Sequence, residues 1–461
     1  MHDLTVTVII LTRNRPKAFR TLLDALLLQR RRAFDVIVVG AQETAEAQGV
    51  PQTLISRITY VHCEESNISK GRNLGLSRAT GEVVAFIDDD AAPEGDWLDE
   101  LVRPFAEADV GAVGGFVRGR NGVDLQWRGA LVDRYGAHSE ITKADLSSPK
   151  LGALDGEQFV STVGVNCAIR RDALLAVGGF DENFRYFLDE SDMCIRLRQA
   201  GWRTVLAPRA EVFHAYAPSS ERRGNRAPRD LFQISASRSY FAHVHGDPDH
   251  YHQREIEFRE QQEQRLRKFV QLGRLSRRQA REVEAGIDGG LAEGTARWRA
   301  GRKIGASLTA PPPPGRVIPF IPDGTPEALR VALVVTTGHR RHIYKAARVL
   351  ADAGCEVSLF DFDFSARRLR VGFHDGMWRH HGGILGRDSI DTPQPLPRRC
   401  LRVRSELNRV FNRRDFEVAI HPDQEKYRLG VLSVTPLEGP LRGFVAEPFR
   451  PGASREVATL L

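Results

Sequence analysis

Three consecutive carboxylates, Asp88, Asp89 and Asp90, close the apolar run Val83-Val-Ala-Phe-Ile87. Three acids in a row repel one another unless a cation sits between them. The Asp88-x-Asp90 pair offers hard oxygen ligands of the kind that a divalent ion such as Mg²⁺ or Mn²⁺ takes together with substrate phosphates. An apolar run that leads into such a cluster reads as a strand buried in a parallel sheet, and the carboxyl ends of such strands are where open α/β sheets hold ligands. A solvated acidic turn after a strand would leave the same residues, so the reading depends on the company they keep.

A second acidic group, Asp189-Glu-Ser-Asp192, opens a helix whose apolar stripe is Met193, Leu197 and Ala200 and which Gly201 ends. Asp189 can cap this helix, and acids in a first turn are favoured by the helix dipole, which accounts for Asp189 and Asp192 more readily than for Glu190. Lys70 and Arg72 lie on a helix just before the Asp88–Asp90 strand, where surface charge competes with contact to a phosphate. His214 follows a strand end. The stretch from Tyr216 to Asp230 carries Arg222, Arg223, Arg226 and Arg229, and reads either as a solvated loop or as a flap that closes over phosphates.

The elements that must position these groups are legible in order. Val6–Leu11 is an apolar strand, and Pro16 starts a helix with Phe19, Leu22, Leu23, Leu26 and Leu27 on one face. Strands follow at Asp35–Gly40 and Ile58–His62, then a helix at Lys70–Arg78, then the acidic strand; this alternation is the α/β pattern with a parallel sheet. The region 111–161 is less regular, with a strand at Ala112–Val117 and two aromatics, Trp127 and Tyr135, that either line a cleft or pack locally. Strands are expected at Asn166–Arg170, Thr204–Ala207 and Ala210–Phe213, with a turn at Gly178-Gly179. From Tyr251 to Arg302 the chain is charged and helical, with Ser276-x-x-Gln279 as a capping box. Ala310-Pro-Pro-Pro-Pro-Gly315 reads as a stiff extended linker. Beyond it Arg330–Val335, a helix around Ala346–Leu350 and Glu356–Phe360 form one βαβ unit, and two further strands are expected at Phe416–Ile420 and Gly430–Val434. His380 and His381 read as solvated rather than metal-binding.

The chain has 461 residues, 41% apolar and 27% charged, with a formal net charge of +7, which suits two or three soluble domains and anionic partners without selecting one. Five scattered cysteines with no C-x-x-C pair read as buried free thiols of a reducing compartment. The run at Val6–Leu11 has no basic region before it and reads as a strand, not a signal peptide. No stretch is apolar enough to span a membrane. Nucleic acid is not expected as a partner, because no basic module with interleaved aromatics accompanies the positive charge.

Thr12-Arg-Asn-Arg-Pro16, Asn67-Ile-Ser-Lys-Gly-Arg-Asn-Leu-Gly75, Asp88–Asp90 and Asp189-Glu-Ser-Asp-Met-Cys-Ile-Arg-Leu-Arg-Gln-Ala-Gly-Trp202, in this order and spacing, resemble the family 2 glycosyltransferases over roughly residues 4–245. The resemblance implies a GT-A-type nucleotide-binding α/β domain with a mixed, mainly parallel sheet. It implies inverting, metal-dependent transfer of a sugar from a nucleotide-sugar donor to a hydroxyl of a cell-envelope glycan, lipid-linked sugar or small glycoside. By position it assigns Glu190 as catalytic base, with Asp189 and Asp192 as alternatives, and Asp88, Asp90 and His214 to Mg²⁺ or Mn²⁺. It also assigns Thr12, Asn14, Arg15, Lys70, Arg72, Asn73, Asp88 and Asp89 to the donor. The chain departs from the family after its second strand, where Gly40-Ala-Gln-Glu43 replaces the usual acid and leaves the nucleobase open. It lacks the Gln-x-x-Arg-Trp motif of processive synthases, so single addition is expected.

The expected domains are then 1–245 (GT-A), 246–306 (a charged helical appendage), 307–329 (the Pro-rich linker) and 330–461 (a smaller Rossmann-like α/β domain). The donor class places the protein in the cytoplasm, with peripheral association at the inner membrane face as an extension of that expectation. A catalytically silent nucleotide-sugar-binding or scaffold protein is the alternative function.

Overall fold

Uninterrupted apolar runs make the central strands, and one-faced helices cover them. The computed structural model describes residues 4–142, 146, 157–313, 318–322, 324–335, 340–362, 370–382, 418–422 and 432–435. Its first half runs β1 (Val6–Thr12), α1 (Pro16–Leu26), β2 (Phe34–Gly40), the short α2 (Ala45–Gln48), β3 (Ile58–His62), α3 (Ile68–Leu76) and β4 (Val83–Asp88). Strand β1 lies between β2 and β4, and all of these strands are parallel, with β3 outside β2. Phe19, Leu22, Leu23 and Leu26 of α1 are fully buried against this sheet, as their spacing predicts. Helix α3 sits unusually close to it. A Cβ on Gly71 would come within 2.8 Å of Leu11 Cδ2, so only glycine lets the Lys70–Asn73 turn settle over the end of β1.

The second half adds β5 (Ala91–Pro93), α4 (Trp97–Val102), β6 (Val110–Arg118), β7 (Leu125–Trp127), β8 (Ala130–Val132), β9 (His138–Glu140), β10 (Phe159–Ser161), β11 (Asn166–Arg170), α5 (Arg171–Ala176), α6 (Asp189–Gln199) and β12 (Arg203–His214). The sheet order is β3-β2-β1-β4-β11-β6-β12-β5, with β7 beside β6 and a separate three-stranded sheet β10-β8-β9. Strand β11 is antiparallel to β4 and β6, and β12 is parallel to β6. This is the mixed, mainly parallel GT-A-type sheet expected. Two short strands expected at Thr204–Ala207 and Ala210–Phe213 are instead one, β12, with a register shift between Ala207 and Glu211. Pro208 falls in that interval and has no N–H for the ladder, so the strand bulges there and then continues.

Helices α7 (Phe232–His245), α8 (Tyr251–Gln271), α9 (Arg277–Glu284) and α10 (Gly286–Arg299) follow. Phe258, Leu266, Val283, Ile287 and Leu291 share a small core with Leu231. The Ser276–Gln279 capping box is formed in both directions. The residues after α10 run back along the first domain rather than hanging free. Ile304 bridges to Asp181, Thr309 N donates to Ser77 Oγ at 3.0 Å, and Phe320 N donates to Phe34 O at 3.0 Å with the Phe320 ring fully buried. The stretch that reads as a stiff spacer is thus fastened on both sides of the proline run.

Farther on, β13 (Arg330–Val335), α11 (Arg340–Asp352) and β14 (Glu356–Phe362) form the expected βαβ unit. With β15 (Arg370–His374), β16 (Met377–Gly382), β17 (Val418–Pro422) and β18 (Leu432–Thr435) they make a six-stranded sheet of order β15-β16-β14-β13-β17-β18. It meets the first domain where Trp378 packs on Phe213 at 4.6 Å. His380 is buried and stacked on Phe360 at 4.5 Å, not solvated, because β16 turns it into this sheet's packing layer. Cys63, Cys167 and Cys194 are buried free thiols, and Cys355 is buried as well; Cys400 lies outside the described residues. Among the described residues no helix is long and apolar enough to cross a membrane.

Candidate active site

The parallel register of β1 and β4 puts Leu11 opposite Asp88, and so sets Thr12 beside the acidic turn. Thr12 Oγ1 donates to Asp89 Oδ2 at 2.8 Å, and Arg15 Nη1 lies 2.9 Å from Asp89 Oδ1 and 3.5 Å from Asp90 Oδ1. His214, the last residue of β12, brings Nε2 to 3.1 Å from Asp90 Oδ1 and 3.9 Å from Asp88 Oδ2. Its Nδ1 lies 3.2 Å from Gln126 Oε1, which fixes the ring. Ala217 N donates to Asp90 Oδ2 at 2.6 Å. Burial works to raise the Asp90 carboxyl, yet the His214 hydrogen bond and charge, the Ala217 N–H and Arg15 hold it down at about 2. Asp89 is pushed up to about 7 by burial, against the pull of Arg15 and Thr12.

The second centre is built on Arg72. Its guanidinium, buried over the rings of Phe180 and Phe86 at 5.2 and 5.5 Å, pairs with Asp189 through Nη1 and donates from Nη2 to Glu190 Oε1 at 2.8 Å. Gly164 N donates to the same Glu190 oxygen at 2.8 Å. Glu190 Oε2 receives no hydrogen bond among the described residues, and the side chain faces the cleft. One carboxylate oxygen is thus pinned by two donors while the other stays open. Gly164 has no room for a side chain: a Cβ there would lie 1.7 Å from Arg72 Nη2 and 2.3 Å from Glu190 Oε1.

Both centres open onto one cleft of about 1150 Å³, lined by Thr12, Asn14, Arg15, Arg72, Asp88, Asp89, Glu190 and His214 among others. Not all the expected residues reach it. Asp189 is buried in its pair with Arg72 and does not cap α6, whose N-cap is Leu188 in the left-handed region at φ 66°. Asp192 points away from the cleft and is held by Arg196 Nε at 2.8 Å, His245 Nε2 at 2.9 Å and Arg302 Nη2 at 2.8 Å. Burial raises its carboxyl, but Arg196, His245 and Arg302 together outweigh that and leave it well below the usual range. Asn73 is fully buried, donating to Phe180 O and Glu182 Oε1 at 2.9 Å each and accepting from Phe180 N, and so ties α3 to the Gly178–Glu182 turn. Lys70 pairs with Glu65 at 2.8 Å at the rim. Asn14 takes a left-handed φ of 56° and accepts from Gln42 Nε2 at 3.1 Å. Glu43 does not line the cleft; Gly40 does.

Several lining groups carry little sequence signal. Tyr216 stacks near the His214 ring at 5.0 Å, and Arg222 and Arg226 lie over Tyr216 at 3.8 and 5.2 Å, so the arginine-rich stretch folds directly onto the Asp88–Asp90–His214 cluster. Trp127 lines the cleft, while Tyr135 is buried under Arg254 at 4.8 Å. Gly164 and Arg13 also line it. Gly164 could be found only by knowing that it faces Glu190 across the fold.

The donor set fits a divalent ion. Asp88, Asp90 and His214 each offer one ligand atom, all within 4.8 Å of one another, and two carboxylate oxygens with one imidazole nitrogen suit Mg²⁺ or Mn²⁺.

The model of the "Glycosyltransferase like family 2" matches residues 2–232 of the 461. The O-antigen biosynthesis protein RfbC of Myxococcus xanthus is 27% identical over 242 residues, 50% of this chain and 18% of its own length. The pre-mycofactocin glycosyltransferase of Mycobacterium tuberculosis is 31% identical over 216 residues, 45% of this chain and 42% of its own. The glucosyl-dolichyl phosphate glucuronosyltransferase of Haloferax volcanii is 29% identical over 230 residues, 46% of this chain and 68% of its own. The chain therefore spans less than half of the length of the first two relatives, and the family model falls on its first half. With the family match over residues 2–232, the acidic turn at the end of β4 and the Glu190 carboxylate facing it across one cleft, this chain belongs to the family 2 glycosyltransferases.

Proposed function

We propose that the protein is an inverting, metal-dependent glycosyltransferase that moves a sugar from a nucleotide-sugar donor to an acceptor hydroxyl of a cell-envelope glycan, lipid-linked sugar or small glycoside. The observation that carries this is the shared cleft, with Asp88, Asp90 and His214 at one centre and the open oxygen of Glu190 at the other. The relatives' printed names, O-antigen biosynthesis and a dolichyl-phosphate-linked sugar, favour an envelope or lipid-linked acceptor.

Glu190 Oε2 takes the proton of the acceptor hydroxyl as its oxygen attacks the anomeric carbon. The bond from that carbon to the donor's β-phosphate oxygen breaks, the nucleoside diphosphate leaves with the electron pair, and the configuration inverts. Arg72 and Gly164 N hold Glu190 Oε1, so the basic oxygen is oriented before the acceptor arrives. Asp88, Asp90 and His214 would hold the Mg²⁺ or Mn²⁺, which would supply Lewis-acid stabilisation to the departing diphosphate. Thr12 and Arg15 fix Asp89 and shape the donor end of the cleft, and Arg222 and Arg226 on the loop above add positive charge over the phosphates. The test is a transfer assay with a set of labelled nucleotide sugars, Mn²⁺ and polyprenyl-linked or oligosaccharide acceptors. One donor class is expected to release its nucleoside diphosphate with label passing to an acceptor. Absence of any nucleotide release across the set would remove the transferase reading.

A further inference from the structure

Arg238 on α7 is 93% removed from solvent, at 7% relative exposure, and lines the cleft. A guanidinium on a mostly buried side chain normally has a protein acceptor, and what this one faces instead is the cleft. Among the described residues nothing accepts a hydrogen bond from Arg238. Its guanidinium lies over the face of Phe258, at 5.7 Å. The two carboxylates in its electrostatic reach, Asp133 and Glu257, are engaged by Arg254 at 4.0 and 3.0 Å instead. Burial accordingly pulls the guanidinium down to about 10.

Arg238 lies near the start of α6, the helix that carries Glu190. Gly136, where a Cβ would meet Leu188 Cδ1 at 2.9 Å and Arg238 Nη1 at 3.1 Å, sits between Arg238 and the residue that precedes Asp189 and Glu190. Beyond Arg238 the wall is one face of α8. Phe258, Gln261, Gln262 and Arg265, at i, i+3, i+4 and i+7, all line the cleft. On the transferase reading, an acceptor whose hydroxyl reaches Glu190 would lie along this wall, with the donor diphosphate at the Asp88–His214 end.

We propose that Arg238, with the polar face of α8, is an acceptor subsite for an oxyanion: the acceptor sugar carries a phosphate or a carboxylate that docks on the Arg238 guanidinium. The subsite rests on the transferase reading of the cleft. A planar guanidinium with five N–H donors and no protein acceptor is matched by a bidentate phosphate or carboxylate. The bound anion would supply the missing partner, and the ring of Phe258 would keep the guanidinium flat against one wall.

The experiment is calorimetric binding of three probes to the full chain in EDTA, so that no divalent ion screens the three carboxylates at the donor end and phosphate is repelled there. The probes are α-glucose 1-phosphate, glucuronic acid and neutral methyl α-glucoside. An anionic probe is expected to bind and the methyl glucoside not; the probe that binds names phosphate or carboxylate as the source. Arg238→Met is expected to weaken that binding about ten- to hundredfold, as befits loss of a charged hydrogen bond. Arg238→Lys keeps the charge, serves as the folding control and is expected to be several-fold weaker than wild type. Equal binding by Arg238→Met and wild type, equal binding of neutral and anionic probes, or no binding by wild type overturns the subsite. Nucleoside diphosphate binding with Mn²⁺, measured on the same protein, separates the two readings. If it persists while the anion probes fail, only the subsite falls; if it is absent, the transferase reading falls on its own evidence.

Discussion

Arg72 Nη2 stands 2.8 Å from Glu190 Oε1 while Nη1 of the same guanidinium pairs with Asp189. One buried cation therefore holds two adjacent acids in different states of use: Asp189 is consumed by the pair, and Glu190 keeps an open oxygen in the cleft. Glu190→Gln should lower transfer about 10²–10⁴-fold and leave the thermal midpoint nearly in place. Arg72→Met should lower both, because it leaves Asp189 buried without its partner, at about 3–5 kcal/mol of stability. Steady-state rates beside thermal unfolding of the two variants check this; a midpoint that falls equally in both would contradict the division of roles.

Gly164→Ala places a methyl group on the line between Arg72 and Glu190. The displaced atoms are side-chain ends rather than backbone, so the expected loss is in turnover more than in folding. Nucleotide affinity should stay within a few-fold of wild type while kcat falls at least about tenfold, through misplacement of the base. Unchanged kcat would mean that the Glu190 geometry is not what sets the rate.

Asp192 is the acid that sequence position offers as an alternative base, and its surroundings make it structural. Asp192→Asn leaves His245, Arg196 and Arg302 facing a neutral amide in a buried site. Stability should drop by about 3–5 kcal/mol, read as a denaturant midpoint shift at constant m-value. Any variant that stays folded should keep a measurable fraction of its transfer rate, in contrast to Glu190→Gln.

Asp35, at the start of β2, has burial pushing its carboxyl from 3.8 to about 6. A folded-state pKa above the unfolded one means that the folded chain binds the proton more tightly. The contribution is therefore fully present below about pH 4 and is lost as pH rises through about 6. Asp35→Asn should raise stability above pH 6 by up to about 3 kcal/mol and change it little near pH 4. Thermal midpoints of both proteins across that window give the answer, and a variant less stable at pH 8 would refute the sign.

The ends of β1 and β4 were readable because a buried parallel strand is an apolar run with its chemistry at the carboxyl end, and both features are local. Glu190 was readable only through its place in an ordered set of motifs. Helix-capping logic spoke for Asp189 and did not foresee that Arg72 would claim it from 117 residues away. The resemblance assigns Asn73 to the donor along with Arg72, yet on a helix neighbours point to different sides, and this one turns into the core. Gly164 and Arg238 gave no signal. The first matters only because Glu190 lies opposite it, and the second is one arginine among many until the fold sets it in the cleft wall with no protein acceptor among the described residues.

The most direct measurement is thermal unfolding of the purified protein with a panel of nucleoside diphosphates, each with and without Mn²⁺, for wild type and Asp90→Ala. A ligand that binds only the native state raises its stability by mass action, about 2.7 kcal/mol at a hundredfold excess over Kd. One nucleotide should raise the wild-type midpoint only when Mn²⁺ is present, and Asp90→Ala should abolish the rise. A panel in which no nucleotide moves the midpoint, or in which Asp90→Ala responds like wild type, would contradict the metal-dependent donor site at Asp88, Asp90 and His214.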